Sequence, residues 1–202
     1  MESPSPAKQI GRPRAFQKVE ALDSAMKVFW RKGYQGTSLS DLTRAMGINR
    51  PSLYATFGSK ESLFKQSLDR YVEGPAGYVQ NALEKPTARA AVEALMLGAV
   101  NVTTDRKNPR GCLMLQGAMT CGGETEAVRR DINARLSAGE KAIRRRLRRA
   151  QKEGDLVSDV DAGALARYVV TVVRGIGVQA ASGASREELR KVVLIALQAW
   201  PK

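Results

Sequence analysis

Residues 49–60 carry side chains that could form hydrogen bonds with nucleic acid. Arg50, Ser52 and Thr56 fall on the polar side of a short helix predicted in this segment. A guanidinium can donate two parallel hydrogen bonds to O6 and N7 of guanine, which discriminates against other bases by about 1–3 kcal/mol. Hydroxyl groups can bond to bases or to phosphates. A helix with this chemistry would have to enter the major groove of DNA.

The elements that must position these side chains are two short helices joined by a tight turn. Ser38 with Asp41 three residues later resembles a capping box that begins the first helix, and Gly47 ends it. Asn49 begins the second helix, with Pro51 in its first turn, where a missing amide proton costs little. This spacing indicates a helix-turn-helix, although glycine-separated pairs of short helices also occur in many all-α proteins.

Further candidate contacts to DNA surround the motif. Small donors and cations suited to phosphate oxygens occur at Thr37, Ser38, Tyr54 and Lys60. The backbone amides beginning at Ser38 could form a further anion site. Residues 1–15 contain three prolines and no periodicity, which predicts a flexible arm whose Arg12 and Arg14 could reach the backbone or a minor groove.

Composition excludes several classes of function. The 202 residues include 33 Lys and Arg against 20 Asp and Glu, giving a net charge of +13, which suits a polyanionic partner. Histidine is absent, which excludes histidine-based catalysis, and two cysteines are too few for a zinc module. We therefore expect no enzyme, no metal and no cofactor. No apolar run is long enough to span a membrane, so we expect a soluble, cytoplasmic protein without a membrane partner.

The remainder of the chain has helical periodicity throughout, which predicts an all-α fold of about nine helices. Each of the last two helices is apolar over a wide arc, which favours pairing with a second copy of the chain in a four-helix interface. Simple packing within one chain is the alternative. The candidate interface residues are Val169, Val173, Leu189, Val193, Leu197 and Trp200.

Residues 16–64 resemble the TetR family of bacterial repressors. The resemblance rests on Gly36-Thr37-Ser38 and on the pattern from Leu53-Tyr54 through Phe57 to Lys60-Glu61 and Leu63. It implies a basic arm over residues 1–15, a DNA-binding domain over 16–64, and a ligand-binding and dimerisation domain over 65–202. It also implies a homodimer that binds a palindromic operator and releases it when a small effector binds.

The resemblance also implies roles for individual residues. Phosphate contacts are implied for Thr37, Tyr54 and Lys60, and base contacts for Arg50, Pro51, Ser52 and Thr56. Ala55 stands where the family often has an aromatic residue. A ligand cavity is implied in the second domain, and its Met, Tyr and Cys content suits a largely apolar effector, although such residues also fill ordinary cores. The candidates are Tyr71, Tyr78, Met96, Val100, Cys112, Met114, Gln116, Met119 and Cys121.

The cysteines permit a redox interpretation. If one helix carries Cys112 and Cys121, their Cα atoms are about 13 Å apart along its axis, too far for a disulfide within one subunit. Each is then a buried small hydrophobe. Alternatively, Arg110 or a helix N-terminus beside Cys112 could activate the thiol as a sensor of electrophiles.

A strongly basic stretch occupies one long predicted helix near the middle of the second domain. It consists of Lys141, Arg144, Arg145, Arg146, Arg148, Arg149 and Lys152. A solvated helix face is one interpretation, because Ile143 and Leu147 keep an apolar stripe between the charges. Non-specific contact with DNA, or with an acidic partner, is another. A protein that bound nucleic acid by charge alone would lose affinity steeply with salt and would show little sequence preference.

Overall fold

The computed structural model describes residues 14–120 and 126–201. Within those ranges the chain forms ten α-helices and no strand, which confirms the all-α class. The helices are α1 (Arg14–Lys32), α2 (Leu39–Met46), α3 (Arg50–Phe57), α4 (Lys60–Glu73), α5 (Tyr78–Leu83), α6 (Ala88–Thr104), α7 (Leu113–Thr120), α8 (Glu126–Lys152), α9 (Ala162–Ala181) and α10 (Arg186–Gln198).

About nine helices are predicted, and the described residues form ten. A turn over residues 74–77 separates α4 from α5 completely. Proline has no amide proton to continue the helical ladder, and the Gly74 amide closes the last turn of α4 on the carbonyl of Arg70. No helix of the described ranges is long and apolar enough to cross a membrane.

Aromatic side chains form the centre of a first core, beneath α1 to α4. Phe29, Trp30 and Phe64 are fully buried there, and the rings of Phe29 and Phe64 meet edge to face with centroids 4.9 Å apart. Leu113 of α7 and Ile132 of α8 are buried in the same group of residues, which we call the N-terminal core. The helices that follow α4 therefore hold α1 to α3, which we call the head.

A second core, the C-terminal core, lies among α5, α6, α8, α9 and α10. Its centre is α6, where Met96 and Val100 are fully buried and pack among residues of α9 and α10. Helix α8 spans both cores, because Ile132 belongs to the first and Leu147 to the second. A long helix thus connects the two halves of the protein.

Glycine at position 98 allows α5 to pack directly on α6. A Cβ atom added there would lie 2.1 Å from Cδ2 of Tyr78, so the tyrosine ring occupies the space that any larger residue would need. At Gly139, on the exposed side of α8, an added Cβ would meet nothing within 4 Å. The two helical glycines therefore differ only in their surroundings.

We expect Gly98→Ala to destabilise the protein by about 1–3 kcal/mol, because the ring of Tyr78 must leave its position. Gly139→Ala, the matched control, should stabilise it by about 0.5–1 kcal/mol, because alanine is the better helix former. Denaturant unfolding of the two variants measures both values. Equal effects of the two substitutions would show that the ring of Tyr78 moves without cost.

Candidate nucleic-acid interface and effector region

The head contains the predicted helix-turn-helix with its predicted caps. The Ser38 hydroxyl accepts the amide of Asp41, and the Asp41 carboxylate accepts the amide of Ser38, which completes the capping box of α2. Gly47 ends α2 at φ 66°, a left-handed conformation that glycine adopts without steric cost. The Asn49 side chain accepts the amide of Ser52 and begins α3. These local bonds fix where α2 and α3 begin and where α2 ends.

Helix α3 presents a polar face to solvent. Leu53 and Phe57 are buried in the N-terminal core, which fixes the rotation of the helix. The predicted DNA-contacting residues of this helix are all exposed, namely Arg50, Pro51, Ser52, Tyr54 and Thr56. The side chain of Tyr54 is 49% exposed although it is large and aromatic. Within residues 14–120 and 126–201, no side chain covers the exposed face of α3.

Lys60 and Lys18 lie at the edges of this face, each against an aromatic ring. The Lys60 ammonium lies 4.5 Å from the ring centroid of Tyr34, and partial burial lowers its pKa. The Lys18 ammonium lies 5.7 Å from the ring centroid of Phe57. Sequence analysis missed Lys18 because it lies 32 residues before Arg50 and belongs to another helix. Lys18 therefore lies beside α3, to which Phe57 belongs, and Lys60 begins the helix that follows it.

Two predicted phosphate contacts need correction. The Thr37 side chain is only 1% exposed, and its hydroxyl donates to the carbonyl of Gly33 at 2.6 Å. The Ser38 hydroxyl donates to Asp41 Oδ2 at 2.8 Å, and the Ser38 amide donates to the same oxygen at 3.0 Å. Because these protons are already bonded within the protein, neither hydroxyl is available to donate to a phosphate, and the predicted anion site at the Ser38 amide is occupied by a carboxylate.

Asp41 is itself held in place by a cation. Its Oδ1 accepts from the Lys32 ammonium at 2.7 Å, which ties α2 to the end of α1. The hydrogen bond from Lys32, followed by those from Ser38, holds the pKa of Asp41 well below its usual range. The carboxylate therefore stays charged at any pH near neutrality, and the capping box stays formed.

The other predicted DNA contacts lie at or beyond the limit of the described structure. Arg12 lies outside the described residues. Arg14 begins α1, but its side chain also lies outside them, so their predicted contacts stay predictions.

Three of the predicted effector residues come together between the two cores. The Tyr71 hydroxyl donates to the Cys112 thiol at 3.5 Å, and both groups lie near Tyr78. Burial raises the pKa of the Tyr71 hydroxyl well above its ordinary value, and the nearby Cys112 and Tyr78 raise it further. Cys112 is a free thiol, and its side chain is partly buried. We call Tyr71, Tyr78 and Cys112 the effector-side cluster.

Two further effector candidates lie in the C-terminal core, and one lies beside the N-terminal core. Met96 and Val100 are fully buried in the C-terminal core, and Met114 packs against the N-terminal core. Gln116 is partly buried on α7. Cys121 lies outside the described residues, as does the side chain of Met119. A cleft of about 650 Å³ opens elsewhere, between α1 and the turn at Gly47 and Ile48, so it belongs to the head.

A buried hydrogen bond joins the effector-side cluster to the head. Trp30 Nε1, in α1, donates to the carbonyl of Gly111 at 3.1 Å. The ring of Trp30 also meets the ring of Tyr71 edge to face, with centroids 4.8 Å apart. Because Gly111 precedes Cys112, a displacement of Cys112 or Tyr71 would reach α1 directly.

The predicted dimer residues need a further correction. Val169, Leu189, Val193 and Leu197 are buried in the C-terminal core of a single chain, so they pack within that chain. Val173 and Trp200 are partly buried against the same core. The apolar side chains that α9 and α10 leave exposed are Tyr168, Val178, Val192, Leu194 and Ile195.

Known proteins match this chain over both halves. Residues 21–66 match the bacterial regulatory proteins of the tetR family, and residues 88–200 match the tetracyclin repressor-like C-terminal domain. The HTH-type transcriptional repressor ComR of Escherichia coli (strain K12) is 32% identical over 197 residues, covering 96% of this chain and 94% of ComR. The repressor BdcR of the same strain is 32% identical over 183 residues, covering 89% and 86%.

A solved structure shares the whole fold. It is a cysteine mutant of the TetR family transcriptional regulator CifR complexed with 26-bp double-strand operator DNA. CifR is 44% identical to this chain, with a TM-score of 0.89 over 94% of this chain and all of that one. Together with the exposed face of the helix-turn-helix, these similarities show that the chain belongs to the tetR family of bacterial regulatory proteins and is a DNA-binding transcriptional repressor.

Proposed function

We propose that the protein is a ligand-responsive repressor that binds a palindromic operator as a homodimer and releases it when a small, largely apolar effector binds. The observation that carries the proposal is the capped and fully exposed polar face of α3, with Arg50 in its first turn. The complex of CifR with a 26-bp operator supports the same use of this face here.

An exposed apolar surface on α9 and α10 supports the homodimer. Ile195 and Leu194 are 66% and 62% exposed, and Val178 and Tyr168 continue the apolar surface onto α9. An added Cβ at Gly175 would meet nothing within 4 Å, so a facing helix could approach closely there. A two-fold pairing of this surface would place two copies of α3 about 34–36 Å apart or somewhat more, which calls for a palindromic site.

The effector-side cluster supports ligand control. A ligand that displaces the Tyr71 hydroxyl from Cys112 acts on Trp30 through the ring contact and through the bond to Gly111. Regulation requires that the effector bind better to a form whose two heads are wrongly spaced for consecutive major grooves. A ligand with equal affinity for both forms would not shift the equilibrium.

A second candidate is a thiol-based sensor that uses the same helix-turn-helix. The free thiol of Cys112 accepts a hydrogen bond from Tyr71, so alkylation of the sulfur would displace the same hydroxyl. Intact-mass measurement separates the two mechanisms, because a sensing thiol gains the mass of the electrophile and a reversible effector leaves the mass unchanged. Cys112→Ser should abolish the response to an electrophile and leave the response to a reversible effector intact.

The experiment that tests the proposal is selection of bound sequences from a random duplex library. It is run at about 150 mM salt with competitor DNA, which suppresses binding driven by charge alone. Recovery of a palindrome supports a dimeric, sequence-specific regulator and provides the operator for an effector screen. Recovery of no motif would favour a non-specific binder and would contradict the proposal.

Substitutions on α3 should separate base reading from backbone contact. Arg50→Ala should relax preference at one base-pair position by about 1–3 kcal/mol, because a bidentate contact to guanine is lost. Tyr54→Phe and Lys60→Ala should weaken binding to all sequences. Lys60→Ala should also reduce the slope of log affinity against log salt concentration by about one. Titration of operator variants by fluorescence anisotropy measures these effects.

The matched control for these substitutions is Arg106→Ala, since Arg106 is an exposed cation in the turn that follows α6. It should leave affinity and preference unchanged. An equal loss on every sequence for Arg50→Ala would refute its role in base reading.

A further inference from the structure

We propose that the second half of α8 binds the phosphate backbone of a second DNA duplex, separate from the duplex that α3 contacts. The surface consists of four exposed cations, Lys141, Arg145, Arg148 and Lys152, which we call the basic stripe. Neither the helix-turn-helix nor the effector-side cluster includes any of them.

The four residues form a single line along the helix. Their spacings of four, three and four residues keep them within an arc of about 60°, and they extend about 16 Å along the axis. Ile143, Leu147 and Ala150 lie on the opposite side and are buried in the C-terminal core. Burial of that side turns the basic stripe directly toward solvent.

Most of the charge on the basic stripe is not neutralised by the protein. Nearby carboxylates form ion pairs with other cations: Glu140 pairs with Arg167, and Glu153 pairs with Arg149. Asp161 caps α9 and lies near Arg148 and Arg144, which help to lower its pKa after the backbone amides of α9. Among the described residues, no carboxylate lies within 4 Å of any cation of the basic stripe. Free cations in a row attract a polyanion.

The basic stripe lies away from the head. The first half of α8 packs on the head side of the protein, where Ile132 is buried in the N-terminal core and Arg135 pairs with Asp69 of α4 at 2.7 Å. The basic stripe begins six residues after Arg135 and ends about 26 Å beyond it along the helix. A duplex held by α3 would therefore leave the basic stripe free for another duplex.

The chemistry of this face favours a nucleic acid over a folded protein. A stable protein interface has an apolar or aromatic centre, and α8 exposes no large apolar side chain within its described residues. Successive cations repeat at about 4.5–6 Å along the axis. Arginine, at Arg145 and Arg148, matches the geometry of phosphate oxygens. A regular row of charges without an apolar centre suits a phosphate backbone.

Capture of a second duplex tests the proposal. A biotinylated duplex carrying the selected operator is immobilised, loaded with protein, washed, and given a fluorescent duplex of unrelated sequence at about 100 mM salt. Wild-type protein should retain the fluorescent duplex. The variant Lys141→Gln/Arg145→Gln/Arg148→Gln/Lys152→Gln should retain less than about a tenth as much, because four phosphate contacts are lost. It should still remain on the operator.

The matched control removes four exposed cations elsewhere, as Arg106→Gln/Lys107→Gln/Arg129→Gln/Arg130→Gln, and should capture the second duplex as wild type does. Protein retained on the operator reports on α3, and fluorescent duplex reports on the basic stripe, so the two failures are distinguishable. Equal capture by the wild type and the stripe variant, or capture by neither, would overturn the proposal. Preferential binding of soluble polyglutamate would overturn it too, in favour of an acidic protein partner.

A second measurement does not depend on the operator. In a Tyr54→Ala/Lys60→Ala background, an unrelated duplex should still bind through the basic stripe. Removing the stripe in that background should lower the slope of log affinity against log salt by about 3.6, or 0.9 for each lost phosphate contact. An unchanged slope would overturn the proposal.

Discussion

Ile195→Arg is expected to convert the protein into a folded monomer and to weaken operator binding about a hundredfold or more. The side chain of Ile195 is 66% exposed in the single chain, so arginine at this position disturbs no core. In the proposed dimer it would bury an unpaired charge at the contact between subunits. Linking two binding modules raises overall affinity by about 10²–10⁴, and a monomer that contacts one half-site loses this gain.

Val193→Arg provides the matched contrast two residues away. Val193 is 1% exposed and belongs to the C-terminal core, so arginine there should unfold the protein rather than dissociate it. Light scattering measures the mass of each variant, and circular dichroism measures its helix content. A dimeric Ile195→Arg variant with unchanged affinity would contradict the proposed interface.

Helix α10 shows why the dimer face could not be predicted residue by residue. Its apolar residues surround much of the helix, so two different stripes satisfy the helical period. Leu189 and Val193 turn inward, whereas Val192 and Ile195 remain exposed. Which stripe faces the core depends on the positions of α6 and α9, and local periodicity does not encode those positions. The sequence therefore could not show which of the two stripes of α10 packs within the chain.

The head was predictable because local chemistry determines it. The predicted cap residues Ser38 and Asn49 both accept backbone amides of the helices that they begin. Thr37 was not predictable in the same way. A hydroxyl next to a helix N-terminus can face a phosphate or a carbonyl of its own chain, and only the path of the backbone after Gly33 decides between them.

Which of the predicted effector residues contact one another could not be predicted from composition. Tyr71 and Cys112 are 41 residues apart in the chain, and their contact arises because α4 and α7 pack on the same core. Met96 and Val100 have the same apolar character but face the C-terminal core. Composition cannot distinguish a side chain that lines a cluster between two cores from one that fills a core.

Trp30→Ala is expected to lower the free energy of unfolding by about 3–5 kcal/mol, because it deletes a fully buried aromatic ring. It also removes the hydrogen bond to the Gly111 carbonyl and the contact with Tyr71. Trp30→Phe keeps most of the ring but not the donor, so it should cost about 1–3 kcal/mol for the unsatisfied carbonyl. Denaturant unfolding measures both variants.

The chain's other tryptophan is the control, because Trp200 is only partly buried at the end of α10 and contacts the C-terminal core alone. Trp200→Ala should lower the free energy of unfolding clearly less than Trp30→Ala does.

The two substitutions should also change the unfolding transition differently. Trp30 connects the head to the loop before α7, whereas Trp200 packs against the C-terminal core. Calorimetry should therefore show one unfolding transition for wild type and Trp200→Ala, and a separate earlier transition of the head for Trp30→Ala. A single transition in all three proteins would mean that α4 and α8 couple the head to the second domain without Trp30.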